Sequence, residues 1–379
     1  MRRTRVGRRI PVAFALALGL TGMMIGGAVP ASAGSVLPVG FRATSISFVS
    51  ADHGWILGKG ACGPSANCTQ VLRTVNGGQT WQKVGPIHAP LTQEKIGGVS
   101  QIRFADDLHG WAFYPSFYAT SDGGHTWTKQ PIPGGGLQVP VVAADTDAIY
   151  ALISHCRLSE TPARCAPAEL WRSTLDHPAW TKTSLQVRKG LVTNAARISL
   201  HGVVGYLIVP SESNPDFVRA TVNGTTWVPR PDPCDRPDEE LDDVFAMSDT
   251  GVAFLCVGDP GLGHAVKRVF RSNDTGKTAT TFGSIPTDGI VSQVTAAPNG
   301  RMIVTSWGAP GSWIYRSNAG HPWTTPEAIG DNGAGWNDVV MTTNQIGFVV
   351  HGPAAVFPAG ERPGQLAETQ DGGESWLPV

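Results

Sequence analysis

Charge is scarce in this chain of 379 residues. Only 16% of positions are Asp, Glu, Lys or Arg, and 29 basic side chains stand against 30 acidic ones, a net charge of −1. No basic excess exists to neutralise a phosphate backbone, so nucleic acid is set aside as a partner. Sustained helical periodicity is missing too, which argues against any α-helical core. Neither C-x-x-C nor H-x-x-x-H occurs, so no zinc site is expected, and no metal or cofactor with it. The Gly-rich stretch DPGLGHAVK (259–267) lacks the Gly-Lys-Ser/Thr ending of a phosphate-binding loop and leads into no helix. No G-x-S-x-G elbow is present either.

The N-terminus carries an address. Arg2, Arg3, Arg5, Arg8 and Arg9 precede an apolar run, Pro11–Val29, and Ala31-Ser32-Ala33 fits a small-residue cleavage site. Residues 1–33 are predicted to be a signal peptide cleaved near Gly34, with the mature chain secreted and no membrane insertion once that segment is removed. Six cysteines in an exported chain suggest disulfides. Six allow fifteen connectivities; spacing favours the local pairs Cys62–Cys68, Cys156–Cys165 and Cys234–Cys256.

The rest of the chain is built on one octet. TSDGGHTW (120–127) recurs as TVNGGQTW (74–81) and TQDGGESW (369–376), with degraded copies at 173–180, 221–227, 272–279 and 317–323. Asp122, Asn76 or Asp371 can fold its side-chain oxygen back onto N–H groups two residues on, and Gly–Gly supplies the positive φ of a tight turn. The Trp anchors the next strand. The octets end at Trp81, Trp127, Trp180, Trp227, Ala279, Trp323 and Trp376, at intervals of 44 to 53 residues. A paired-strand signature precedes each, as in ISFVSADHGWILG (46–58) and IRFADDLHGWAFY (102–114). Four short antiparallel strands repeated seven times predict an all-β fold, a single seven-bladed β-propeller. It should span 43–379, with 34–42 as a lead-in that adds an edge strand or closes the ring.

The turn resembles the Asp-box, or BNR repeat, of sialidase-like propellers, and the paired D-x-x-H-G-W and T-x-D-G-G-x-T-W phrases look most like exported bacterial propellers of the photosystem II assembly-factor type. The resemblance implies a mainly structural role for Asn76, Trp81, Asp122, Trp127, Asn223, Trp227, Asp274, Trp323, Asp371 and Trp376. It does not imply one activity, because that superfamily holds hydrolases, receptors and assembly factors.

In a propeller the first strand of each blade is innermost, and the second-to-third-strand loops share a face with the blade-to-blade links. Those loops are long here, at 59–70, 155–169, 211–216, 259–267, 308–312 and 351–365, and all three expected disulfides fall on that rim. Arg103, Arg197, Asp243 and Asp338 are candidate channel residues, with Gln101 and Asn337 beside them and Arg42 just ahead of the first strand. Arginines around an axis resemble a carboxylate-binding triad, but no Arg-Ile-Pro signature or Tyr–Glu pair accompanies them. Of the paired carboxylates, Asp106/Asp107 read as solvated turn formers and Asp238–Glu240 as an exposed loop. Asp242/Asp243 stand at an inner strand, where alternation should make one of them unavailable. Tyr114, Phe117, Tyr118, Trp307, Trp313 and Phe357 are candidate contact aromatics. The expectation is a monomeric, non-enzymatic module that binds an extracellular protein or glycan through the loop face. The alternatives are a sialidase-like exo-glycoside hydrolase using Arg103 and Arg197, or an assembly factor whose channel arginines grip an acidic segment.

Overall fold

The computed structural model describes residues 36–379 except 64–65, 93, 158–159, 162–163, 177, 192, 212–215, 235, 237, 310, 319–322, 330–334 and 353–364. The predicted signal segment and Phe357 lie outside the described residues. Residues 34–379 form one compact unit, and the only helical pieces described are two 3-10 turns, Pro133–Gly135 and Thr193–Ala195.

Seven four-stranded sheets follow one another, each with its strands in sequence order. The fold is a seven-bladed β-propeller. The inner strands are Arg42–Phe48, Gln101–Phe104, Gln138–Ala144, Arg197–His201, Glu239–Ala246, Val291–Ala296 and Trp336–Met341. Second strands are buried on both faces, so they read as continuous apolar runs, IYALIS (149–154) and VGYLIV (204–209) among them. Outer strands need the opposite property, because their free edge would otherwise template pairing with another chain. They carry Lys83, Lys129, Lys182, Pro229, Pro326 and Pro378 in six of the seven blades.

The core is divided into seven wedges. Each apolar cluster draws on two consecutive blades, as where Trp55 and Leu57 of blade 1 meet Ile102 and Phe104 of blade 2. Trp55 and Phe104 stack with ring centroids 3.9 Å apart. The last wedge joins blade 7 to blade 1 through Phe348, Val350, Ile46 and Ile56. Every blade owns its four strands, so the ring closes without a shared strand, by apolar packing and by the hydrogen bonds of blade 1 to Asp338. The lead-in segment adds one isolated bridge, Val36 to Thr80, and no edge strand.

The octet turns take a form slightly different from the expected one. Asp122 reaches four residues on, not two: Oδ1 accepts from the Thr126 N–H at 2.9 Å and Oδ2 from the Thr126 hydroxyl at 2.6 Å. The Thr120 hydroxyl donates to Asp122 and accepts from the Gly124 N–H. Asn76, Asp274 and Asp371 repeat this pattern. In the shortened blade 4 copy Asn223 instead bonds the N–H two residues on, at Thr225. Blade 5 keeps the full set although Ala279 replaces the Trp, so the polar turn forms without the aromatic anchor.

These turns are joints between blades. Side chains of the preceding blade donate to their carbonyls: Trp55 to Gly123 O, Tyr150 to Gly224 O, Arg230 to Thr275 O and Arg316 to Gly372 O. Four of the turns also donate to their own blade's first hairpin: Gly77 N–H to Asp52 O, Gly123 N–H to Leu108 O, Thr275 N–H to Thr250 O and Gly372 N–H to Gln345 O. Asp106 and Asp107 belong to this face and are engaged, not merely solvated. Asp106 accepts from the Leu108 and His109 N–H groups, and Asp107 pairs with His53 of blade 1 at 2.5 Å.

Candidate functional site at the channel mouth

Inner strands of neighbouring blades do not pair fully, so their N–H groups need other acceptors. Side chains of the preceding blade supply them. Asp338 accepts from the Ile46 N–H, Ser45 from Ile102, Ser47 from Phe104, Ser199 from Ala246, Asp243 from Val294 and Asp242 from Ser292. In blades 1, 5 and 7 the register shifts just before the acceptor, between Ala43 and Ser45, Leu241 and Asp243, and Trp336 and Asp338. The extra residue is a β-bulge, which re-aims side chains. That bulge is why alternation fails at Asp242/Asp243. Both carboxylates turn to blade 6.

The charged candidates do come together, around a cavity of about 410 Å³. Arg103 donates to both Asp338 oxygens, at 3.0 and 3.3 Å, and to the Ser45 hydroxyl. Arg197 lies 3.8 Å from Asp243, while its Nη1 donates to the Ala195 and Ala196 carbonyls. Each arginine is about a third exposed to the channel, 32% for both, whereas the two aspartates are nearly covered. Burial pushes the Asp243 carboxyl up to about 6 against the pull of Arg197 and two backbone N–H groups. Asp242 rises to about 7, again chiefly through burial, with Arg197 and the Ser292 N–H opposing. Arg42, exposed at the first position of its strand, is not among the lining residues.

The channel is polarised along its axis. Inner strands begin at the loop face, and their early positions and links supply Gln101, Asn194, Arg197, Gln293 and Asn337. Their later positions supply Phe48, Phe104, Phe245 and Val340. Tyr114 joins the polar mouth. It is held at φ 62°, unusual for a residue with a Cβ, and its phenol is bonded by Asn194 near Arg197; burial outweighs both and raises its pKa. Asn194 and Gln293 escaped the sequence reading because amides carry no charge signature. The 3-10 turn that presents Asn194 has no sequence hallmark.

The other aromatic candidates divide. Tyr118 is buried between blades 1 and 2, and Phe117 between blades 2 and 3. Neither offers a contact surface: they occupy a third strand whose faces both meet apolar neighbours. Trp307 and Trp313 are half-buried and pack on the wedges flanking blade 6.

Two disulfides staple the same rim, Cys156–Cys165 and Cys234–Cys256. Gln138 donates to Cys156 O at 2.7 Å, tying the first to an inner strand. Near the second, Asp216 accepts from the Ser211 and Leu241 N–H groups, and burial lifts its carboxyl to about 6. In the third expected pair, Cys68 stands opposite Gly60 in the hairpin register, and Cys62 falls at the irregularity between Ala61 and Gly63. Two of the expected long loops are also hairpins: strands Gly54–Gly63 and Ala66–Thr74 in blade 1, and Val252–Gly261 and His264–Ser272 in blade 5. Within 238–240, Glu239 is 2% exposed and paired with Arg268, so the stretch is not simply an exposed loop.

Fold and channel together define a seven-bladed propeller whose inner ring is laced by Asp and Ser side chains and whose stapled face carries a polar mouth. No sequence-family model matches the chain, and no curated protein matches it. Solved structures do share its shape. YCF48 bound to D1 peptide aligns with a TM-score of 0.53 at 15% identity, over 84% of this chain and 93% of that one. An ancestral GH74 enzyme gives 0.54 at 12% identity, over 88% of this chain and 46% of its own length. The WD40 propeller domain of Doa1 gives 0.50 at 9%, over 85% and 93%. At such identities the likeness is one of fold.

Proposed function

We propose that the chain is an exported, non-enzymatic recognition module that holds a protein segment or glycan at the polar mouth of the channel, beneath the stapled loops. One observation carries this reading: Gln101, Tyr114, Asn194, Arg197, Gln293 and Asn337 converge from different blades at that mouth. The carboxylates beside them are engaged by backbone N–H groups of the next blade. A concave site with several fixed polar groups and a rigid scaffold suits binding. The YCF48 propeller was solved with a peptide bound, so a polypeptide segment is the first ligand class to test.

A second reading keeps the sialidase-like hydrolase. It is favoured by Asp243, whose raised carboxyl stands beside Arg197 and could deliver a proton near neutral pH. The test separates the two. Purified protein is applied to peptide and glycan arrays beside Arg197→Ala and Tyr114→Phe, and the same samples are assayed on fluorogenic sialosides. Binding that weakens at least tenfold in Arg197→Ala, with no turnover, supports recognition. Turnover that disappears in Asp243→Asn replaces it with catalysis.

A further inference from the structure

Two aliphatic side chains on the loop face stand clear of the core. Leu262 is 98% exposed and Ile96 74%. Each sits at the apex of a tight turn. Leu262 and Gly263 join the blade 5 hairpin, Val252–Gly261 to His264–Ser272, with φ of 49° and 86°. Positive φ at both central residues marks a type I′ turn, which favours Asn-Gly or Asp-Gly and is strained by Leu. The turn is nonetheless held firmly. Gly263 O accepts from the Gly289 N–H at 2.9 Å, the Ala265 N–H donates to Thr287 O at 2.8 Å, and His264 pairs with Asp288 at 3.0 Å. The ten-residue second strand of this hairpin also outreaches the four to seven residues of those in blades 2, 3, 4, 6 and 7. Ile96 tops the turn 95–98, closed by Gly98 N–H to Lys95 O, in the link from blade 1 to blade 2. The Ser116 hydroxyl fixes that turn by accepting from the Gly97 N–H at 2.8 Å. The two tips are therefore rigid, and they stand on nearly opposite sides of the channel mouth.

Spacing and charge decide what can receive them. The polar mouth lies between the tips, so they form no continuous patch for a shaped protein surface to cover. A fluid apolar phase needs no such continuity. Exposed Arg42, Lys59, Arg157, Arg164 and Lys189 share the loop face, and among the described residues none of them has an acidic side-chain partner. Exposed Glu94, Asp238 and Glu240 offset only part of this charge. The octet-turn face shows aliphatics too, Val75, Leu108, Val203 and Val222, but they stand among Asp52, Asp106, Asp107, Asp122, Asp249 and Asp371. An anionic surface repels that face. From this arrangement we infer that the loop face docks peripherally on an anionic phospholipid bilayer. Leu262 and Ile96 enter the boundary between headgroups and acyl chains, and the basic rim meets the headgroup phosphates. The acid-rich turn face points away, so charge sets the orientation. Docking of this kind does not depend on what the channel holds, although it opens the mouth toward the bilayer.

The mature chain, residues 34–379, forms one compact unit and is the sample to use, since the apolar leader would bind lipid by itself. It is mixed with phosphatidylcholine vesicles, with and without about one-third phosphatidylglycerol, and floated on a density gradient. Binding should be at least tenfold tighter to the anionic vesicles, and added salt should erase that preference. Leu262→Asn suits the type I′ turn, so it should melt no lower than wild type yet bind at least tenfold more weakly. Ile96→Asn should weaken binding similarly, and Leu108→Asn on the turn face should not. The inference is overturned if neither vesicle floats the chain, or if both tip variants float as wild type does. It is equally overturned if the tips hold protein instead, seen as self-association or peptide-array binding that disappears in Leu262→Asn while vesicle binding does not change.

Discussion

Replacing Asp122 by Asn tests whether the charge of the octet turn, and not only its shape, holds the blades. Asn76 shows that an amide also closes the turn, accepting from the Thr80 N–H and donating through Nδ2 to the Thr80 hydroxyl, so Asp122→Asn should leave the turn intact. What it removes is the ionic part. Burial would raise the Asp122 carboxyl, but hydrogen bonds from the Thr126 hydroxyl and N–H and from the Thr120 hydroxyl outweigh it and hold the group at about 2, against an ordinary 3.8. At roughly 1.4 kcal/mol per unit the shift would be worth about 2 kcal/mol in full, and solvent screening around this largely exposed group cuts the stabilisation to about 1 kcal/mol or less. The sign follows from the depressed value. This stability is present above the ordinary carboxylate range and is lost as pH falls through about 2. Urea unfolding of wild type and Asp122→Asn, followed by tryptophan fluorescence, should therefore differ by about 1 kcal/mol at pH 7 and converge near pH 2. A difference that is the same size at both pH values would refute the argument, since it would mean that shape alone was lost.

The channel brace should be costlier to break: Asp338→Ala removes the carboxylate that Arg103, the Ser45 hydroxyl and the Ile46 N–H share, and a loss of about 3 kcal/mol is expected in the same unfolding assay. Asp216 and Asp243, raised to about 6, contribute stability that is present below the ordinary carboxylate range and lost as pH rises through about 6. The melting temperature should therefore climb as pH is lowered from 8 to 5, with a flatter slope in Asp216→Asn; a steady fall over that range would contradict the burial of these groups. Opening Cys234–Cys256 by a double Ser substitution should cost about 3 kcal/mol, because the chain between its ends is 22 residues long, and slightly more than opening the 9-residue link of Cys156–Cys165. Comparative melting of the two double variants would show the order.

The architecture was legible because its signals are local. An octet that needs Gly–Gly for positive φ, followed by a Trp, can be read without knowing what it touches, and its spacing counts the blades. The lacing of the inner ring was not legible, because the partner of Asp338 is Ile46, on the far side of the ring closure, and a one-residue bulge decides where Asp243 points. The same limit applies to aromatics. Tyr114 and Tyr118 are four residues apart, yet one lines the channel and the other is core, since a two-sided strand hides its polar-capable residues from any simple alternation.

Closure without a shared strand has a consequence for how such a chain can be rearranged. Because no strand of one blade is borrowed from the other end of the sequence, each blade is a contiguous cassette, and the order of cassettes around the ring has no privileged origin. Cutting the chain in an exposed link, for instance between Gln130 and Gln138, and joining the old ends would preserve every blade and all seven wedges. Growth of such a ring by copying one cassette needs no simultaneous change elsewhere. The unequal wear of the seven octets, intact at 120–127 and reduced at 317–323, is what independent drift of interchangeable parts would leave behind.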